Sequence, residues 1–419
     1  MPNTITQSNT ITEEPTIAPV AVPNGSPPAV AGKRAVSQTL ALLALGHMAV
    51  DLFSSAVPTL QPLLSERFSL SLAQAGWLGG VFMLASAVMQ LPFGILSDRL
   101  HSRLFTVLAP LAAGLFLSSL PAATGFWSLT LLVALGGMAV AAFHPQSTTQ
   151  ASTLSENRRG LGVALFFSAG MFGFAMGPTY FSVLTEQFGF EWLYVAMTPG
   201  VLATVLLFLK LPAPPKREAP AADLDPQALR ATWRPIALHY TLVALRSVVQ
   251  LGIGQFLTLY LYHERGFSFA QASFTLSLFF VSATVGSLVG GSLADRIGGK
   301  RVVLTSMIVS VPFLWIFLAT SGWVSLLALF TGGLILLLTI PVNVVMAQRL
   351  APSKAGTVTA LMMGFCWGIV GITCVPLIGW LADRVGLEAV LWGVVSVPLV
   401  GFLLALRLPS DSRAPRLAD

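Results

Sequence analysis

The chain has 419 residues, of which 55% are hydrophobic and only 10% charged, with a formal net charge of +6. Soluble domains carry about 25% charged residues, so composition excludes a soluble globular protein. The basic residues are scattered among short connectors rather than gathered on one domain, which argues against nucleic acid as a partner.

Long apolar runs recur from residue 39 to 408, continuous and rich in Leu, Val, Ala and Phe. A hydrocarbon layer of about 30 Å is crossed by about 20 such residues as a helix, and each backbone polar group inside it must be bonded within the segment. Membrane β-barrels would instead show alternating strands of about ten residues. The expected fold is an all-α polytopic membrane protein.

Residues 1–34, rich in Thr, Pro, Ala and Asn, read as a disordered tail with no signal-peptide core. Twelve spans are expected at 39–61, 74–97, 104–123, 126–150, 161–185, 190–210, 235–261, 269–292, 302–320, 323–348, 357–380 and 388–408. The polar stretch 211–234 divides them into six-helix bundles at 35–210 and 235–408, and 409–419 forms a second tail. Nineteen of the 23 Lys and Arg residues fall on one side of this arrangement. Only Arg67, Arg265 and Arg384 lie on the other side, and Arg246 lies inside a span. By the positive-inside rule both termini and the central loop are cytoplasmic. Cys366 and Cys374 are eight residues apart in one apolar run, about 12 Å along a helix, which is too far for a disulfide.

The two halves are copies. Leu70-Ser71-Leu72-Ala73-Gln74-Ala75 aligns with Phe267-Ser268-Phe269-Ala270-Gln271-Ala272 at an offset of 197. The same offset carries Gly94, Asp98, Arg99 and Arg103 onto Gly291, Asp295, Arg296 and Lys300. Gly136-Gly137 and Pro145 align with Gly332-Gly333 and Pro341 at an offset of 196. An internal duplication of this kind is the trace of a transporter whose site lies between halves near the bilayer midplane.

Ionisable groups at mid-membrane cost about 2.5–3.5 kcal/mol on insertion scales, so each is a functional candidate. His47 and Asp51 are four residues apart and share one helix face. Asp51 is the candidate proton-coupling carboxylate and His47 its partner or relay; alternatively the two only bond each other and pin the first helix. Arg246, in the helix that duplicates the first, is the mid-span cation, and its guanidinium fork suits a carboxylate or phosphate. It would hold an anionic substrate with Gln250 beside it, or stand in a permanent structural pair with an acid. His144 is a second pocket or relay residue, or a structural histidine. Asn343, Gln90 and Trp367 are weaker pocket candidates that interhelical bonds or packing would equally explain. Pro145, Gly177, Pro178 and Pro341 are expected to bend their helices.

Gly94-Ile95-Leu96-Ser97-Asp98-Arg99-Leu100-His101-Ser102-Arg103 and Gly291-Ser292-Leu293-Ala294-Asp295-Arg296-Ile297-Gly298-Gly299-Lys300 resemble the loop between the second and third helices of the major facilitator superfamily and its copy in the second half. The resemblance implies twelve transmembrane helices in two pseudo-symmetric halves. It also implies that these loops latch the cytoplasmic side in the outward-open state, although as topogenic charge clusters they would be expected anyway. Gly379-Trp380-Leu381-Ala382-Asp383-Arg384 echoes the pattern on the outer face, with no assigned role. His47-Met48-Ala49-Val50-Asp51, Pro62-Leu63-Leu64 and Ala142-Phe143-His144-Pro145-Gln146-Ser147 resemble the fosmidomycin-resistance proteins, proton-driven exporters. Gly173-Phe174-Ala175-Met176-Gly177-Pro178 is similar to a drug/proton antiporter motif, but Thr179 and Tyr180 replace its usual small residues.

The resemblance implies a bacterial inner-membrane secondary transporter. It would export a small, drug-like or metabolite substrate against protons as a monomer, with the proton gradient as energy source and neither cofactor nor metal. Uptake of a small organic anion by symport uses the same parts, and a non-transporting sensor is a third reading. No Gly-x4-Gly-Lys-Ser/Thr loop or His-Glu-x-x-His cluster supports an enzyme.

Overall fold

A computed structural model describes residues 33–100, 102–154, 159–212, 226–350 and 355–409. The expected tails before residue 33 and after 409, and most of the central connector, lie outside the described residues. Every regular element among the described residues is helical.

The first half comprises α1 (Lys33–Ser54), α2 (Ala56–Phe68), α3 (Leu72–Val88), α4 (Gln90–Leu100), α5 (Leu104–Ser118), α6 (Phe126–Leu154), α7 (Arg159–Phe188) and α8 (Thr198–Lys210). The second comprises α9 (Pro226–His263), α10 (Phe269–Ile297), α11 (Gly299–Ala319), α12 (Gly322–Leu337), α13 (Thr339–Leu350), α14 (Ala355–Ala360), α15 (Cys366–Val385) and α16 (Leu387–Ala405). Eleven helical stretches are long and apolar enough to cross a membrane. The third expected span is the short one, since α5 stops at Ser118 and a turn of 3-10 helix over Leu120–Ala122 follows. α9 begins at Pro226, so the connector expected to run to residue 234 is shorter than its polar composition suggests.

Prolines set several of the breaks. Proline has no N–H for the carbonyl four residues earlier, and α1, α3 and α12 end at Ser54, Val88 and Leu337, each four residues before Pro58, Pro92 and Pro341. Of the expected bends, only Pro341 follows such a break: α6 runs through Pro145 and α7 through Pro178 without interruption.

The duplication recurs in three dimensions. Ser71 and Gln74 form a capping box at the start of α3, and Ser268 and Gln271 form the same box on α10. Gly136 packs against Leu117 and Gly137 against Phe82, while Gly332 packs against Leu314 and Gly333 against Phe279. Ser69 and Gly266 both turn the chain with positive φ, of 49° and 67°. Each half has its own apolar core, around Phe53, Phe82 and Phe143 in the first and around Phe256, Phe279 and Leu314 in the second.

Two faces of the bundle can be distinguished. At the near face, where α4, α8, α10 and α16 end, Arg103 donates to the Leu211 carbonyl and Lys300 to the carbonyls of Leu406 and Leu408. At the far face lie the α2–α3 and α9–α10 corners and the end of α15. Hydrogen bonds between the halves gather towards the far face. Gln255 donates to the Ala75 carbonyl at 3.0 Å and Thr258 to that of Pro58 at 2.6 Å, and the Thr179 and Ser277 hydroxyls meet at 2.9 Å. These bonds join the two halves at the far side, so this conformation is closed there.

Glycines let backbones touch inside the bundle. A Cβ at Gly173 would collide with the Met48 carbonyl where α7 crosses α1, whereas one at Gly393 on α16 meets nothing within 4 Å. Overpacking of a tight site costs about 1–3 kcal/mol. Gly173→Ala is therefore expected to lower the Tm in detergent, while Gly393→Ala leaves it unchanged or raises it; equal effects would mean that the α1–α7 contact is not tight.

Candidate functional site

Three helices of the first half bring the first group together. His47 and Asp51, one turn apart on α1, put Nε2 and Oδ2 3.2 Å apart, and His144 on α6 places its Nε2 3.6 Å from the other carboxylate oxygen. His47 Nδ1 lies 2.9 Å from the Phe166 carbonyl of α7. A carbonyl can only accept, so Nδ1 carries a hydrogen and donates it. The His47–Asp51 contact then needs one proton of its own, either on Nε2, giving imidazolium and carboxylate, or on Oδ2, giving two neutral groups. Either way the pair holds one proton beyond the bare carboxylate and neutral ring.

The setting of this group combines tight walls with access. Phe166 stacks on the His47 ring with centroids 4.2 Å apart, and Phe143 flanks it at 5.9 Å. A Cβ at Gly170 would lie 2.5 Å from His47 Nε2 and 2.6 Å from Asp51 Oδ2, so only glycine lets α7 pass over the pair. The His47 side chain is 5% exposed, but Asp51 and His144 keep 18% and 24%. His144 Nδ1 has no hydrogen-bond partner. The three groups have ligand atoms within 4.8 Å of one another, a spacing that a metal ion could also use.

The second group lies in the other half. Arg246 on α9 is buried and donates to Gln250 Oε1 and, at 3.0 Å, to Ser247 Oγ, while its Nε has no partner. No carboxylate pairs with it among the described residues, so neither a permanent ion pair with an acid nor a bridge to Asp51 is present in this conformation. Asn343 on α13 is buried, and its side chain faces that of His239 on α9. The Cys366 thiol neighbours Arg246 and Tyr240.

The remaining candidates take other places. Gln90 donates to the Ser86 carbonyl at 2.9 Å within its own helical run, and Trp367 packs against the second-half core. Gly177 lies against the Leu52 carbonyl and Ser55, so it is a contact point between α7 and the α1–α2 break. Arg103 and Lys300 cap helix ends within their own halves, and Leu211 and Leu408 are themselves 197 residues apart. Gly94 sits against Pro145. Asp295 and Arg296 close α10, and the exposed Arg99 lies at the end of α4. Asp98 is on α4, with its side chain outside the described residues.

Sequence reasoning did not find the Phe166 carbonyl, Gly170, Ser247 or His239. A backbone carbonyl leaves no mark in residue type, but His239, a buried histidine in an apolar run, could have been found as His47 was.

The Major Facilitator Superfamily profile matches residues 43–372 and 241–419. The chain belongs to that superfamily. It is 28% identical over 386 residues to the fosmidomycin resistance protein of Escherichia coli (strain K12), covering 89% of this chain and 93% of that one. It is 29% identical over 396 residues to the MFS-type transporter YfnC of Bacillus subtilis (strain 168), with the same coverage. The solved structure of a bacterial homologue of the human lysosomal transporter Spinster superposes with a TM-score of 0.76 at 15% identity, covering 90% of this chain and 97% of that one. The protein is thus an integral membrane transporter, not an enzyme, with the two-half superfamily fold.

A buried cation without an acid beside it is costly to keep in a low-dielectric interior. Arg246→Met is expected to raise the Tm of the substrate-free protein by a few degrees in a thermal melt; a lower Tm would show that the guanidinium is compensated by a group not seen here.

Proposed function

We propose that this transporter exports a small anionic solute in exchange for protons, by alternating access of its two halves. The observation that carries this reading is the proton that His47 and Asp51 must share once the Phe166 carbonyl has taken the other ring nitrogen. The partly exposed Asp51 and His144 give that proton a route to water. Arg246 supplies a charge of the sign an organic anion requires, held by neutral partners that a carboxylate or phosphonate can displace. Similarity to a fosmidomycin resistance protein supports the outward direction.

Loading a proton on the first group and an anion on the second would bias the two halves towards different states, each by no more than its differential affinity. The proton gradient is the energy source, with no metal or cofactor in the cycle, and the Gly94–Arg103 and Gly291–Lys300 loops hold the near side when it closes. The working unit is a monomer in a bacterial inner membrane, with both termini in the cytoplasm, where the Lys and Arg of the connectors belong.

Transport by purified protein in proteoliposomes under an imposed pH gradient tests the proton site. Asp51→Asn is expected to cut pH-driven flux at least tenfold while the protein stays folded and inserted; unchanged coupling would remove Asp51 from the mechanism, and flux in the gradient-driven uptake direction would replace antiport by symport.

For the anion site, Arg246→Lys keeps the charge and loses the fork. We expect the KM for an anionic substrate to rise about tenfold or more with the pH dependence of flux retained, since a bidentate contact is replaced by a point charge. An unchanged KM would mean that the fork is not read.

A further inference from the structure

The far face carries a third copy of the Gly-x3-Asp-Arg pattern, Gly379-Trp380-Leu381-Ala382-Asp383-Arg384, and in this conformation it is engaged. Asp383, near the end of α15, accepts the backbone N–H of Leu72 at 2.8 Å on one carboxylate oxygen and that of Ala73 at 2.9 Å on the other. Those donors open α3, which belongs to the other half.

A helix start leaves its first N–H groups without partners inside the helix. At α3 the whole set is accounted for. Ser71 N–H goes to Gln74 Oε1, Leu72 and Ala73 to Asp383, Gln74 N–H to Ser71 Oγ, and Ala75 N–H to the Ser71 carbonyl. Half of the cap is thus intrinsic to α3 and half is lent by the opposite bundle. The lent half is charge-assisted and sits at the positive end of the helix dipole.

Small residues make the reach possible. A Cβ at Gly379 would collide with the Leu72 carbonyl, and one at Gly76 or Gly80 would come within 2.6 Å or 2.8 Å of the carbonyls of Val375 and Gly371. The α3–α15 seam is therefore backbone against backbone, with Asp383 at its far end. Arg384 turns away from the carboxylate and lies 3.7 Å over the Trp380 ring, leaving both Asp383 oxygens to the helix.

The mirrored position lacks this device. Ser268 and Gln271 repeat the capping box on α10, but the residue 197 positions before Asp383 is Glu186, which is exposed near the end of α7. No hydrogen bond from the Phe269 or Ala270 N–H to Glu186 is present among the described residues. The clamp is one-sided, a departure from the symmetry kept by the boxes themselves.

We propose that Asp383 is the latch of the far-side gate: its bonds to Leu72 and Ala73 hold the halves together while the near side is apart, and they must break for the far side to open. This rests on the rocking of two halves in the reading above but on neither its proton nor its anion, so it would stand if coupling failed.

Hydrogen–deuterium exchange of the full chain in lipid nanodiscs tests it without transport. In Asp383→Ala, exchange should quicken on the order of tenfold in peptides over 56–64 and 253–260, which belong to the far-side closure but do not touch Asp383. Asp383→Asn, which keeps the shape and one acceptor, should give a smaller increase, and Glu186→Ala none. Faster exchange confined to Leu72 and Ala73 would reduce Asp383 to a local cap and overturn the proposal, as would no change in either Asp383 variant.

Discussion

The hydrogen bond from His47 Nδ1 to the Phe166 carbonyl is the contact on which the site depends. The helix ladder normally uses a carbonyl at this depth, and its second lone pair is what α7 offers α1. By fixing which ring nitrogen is the donor, this contact forces the His47–Asp51 pair to carry a proton of its own. It also requires α1 and α7 to run close together, and the glycines of α7 make that possible. Gly170, Gly173 and Gly177 form a line of missing side chains facing His47 and Asp51, Met48, and then Leu52 and Ser55. Chemistry and helix packing are one arrangement here, since any side chain that pushed α1 away would separate the proton pair from its orienting carbonyl.

The proposed function rests on positions where the two copies disagree. Positions that build the bundle are repeated: the capping boxes, the glycine pairs of α6 and α12, and the basic residues that cap α8 and α16. At the same offset of 197, His47 and Asp51 become Ala244 and Val248, while Arg246 and Gln250 correspond to Ala49 and Phe53. One copy has an acid with two histidines and the other a guanidinium with amide and hydroxyl partners. Each half is apolar where its counterpart is charged, so a duplicated scaffold has acquired two unlike sites.

Much of this architecture was legible in the sequence, because hydrocarbon imposes a length and an apolarity that few residues violate. The spans, the division into halves and the candidacy of His47, Asp51, His144 and Arg246 follow from a charge or ring where neighbours are Leu, Val and Ala. Legibility failed where partners are backbone atoms or lie far apart in sequence. Nothing in residue type shows that Phe166 offers its carbonyl to His47, or that Asp383 reaches Leu72 over 311 positions. Proline was ambiguous in the same way. Pro58, Pro92 and Pro341 each follow a helix end by four residues, yet Pro145 and Pro178 interrupt nothing, because surrounding helices decide whether a missing bond becomes a break. The near-face loops read as latches in sequence, and in this state Arg103 and Lys300 hold helix ends of their own halves.

That Asp51 and Arg246 do not pair in this conformation is itself informative. A direct ion pair in low dielectric would be hard to break, since removing one partner leaves the other buried and uncompensated at a cost of about 3–5 kcal/mol. A carrier whose two charges satisfied each other would gain little from its substrate or its proton. Here the carboxylate is matched by histidines, whose charge depends on a mobile proton, and the guanidinium by Gln250 and Ser247, which neutralise nothing. Both charges are kept structurally tolerable and chemically unfinished. In the proposed cycle each is left for a mobile species to complete, and the completion can be reversed at every turn.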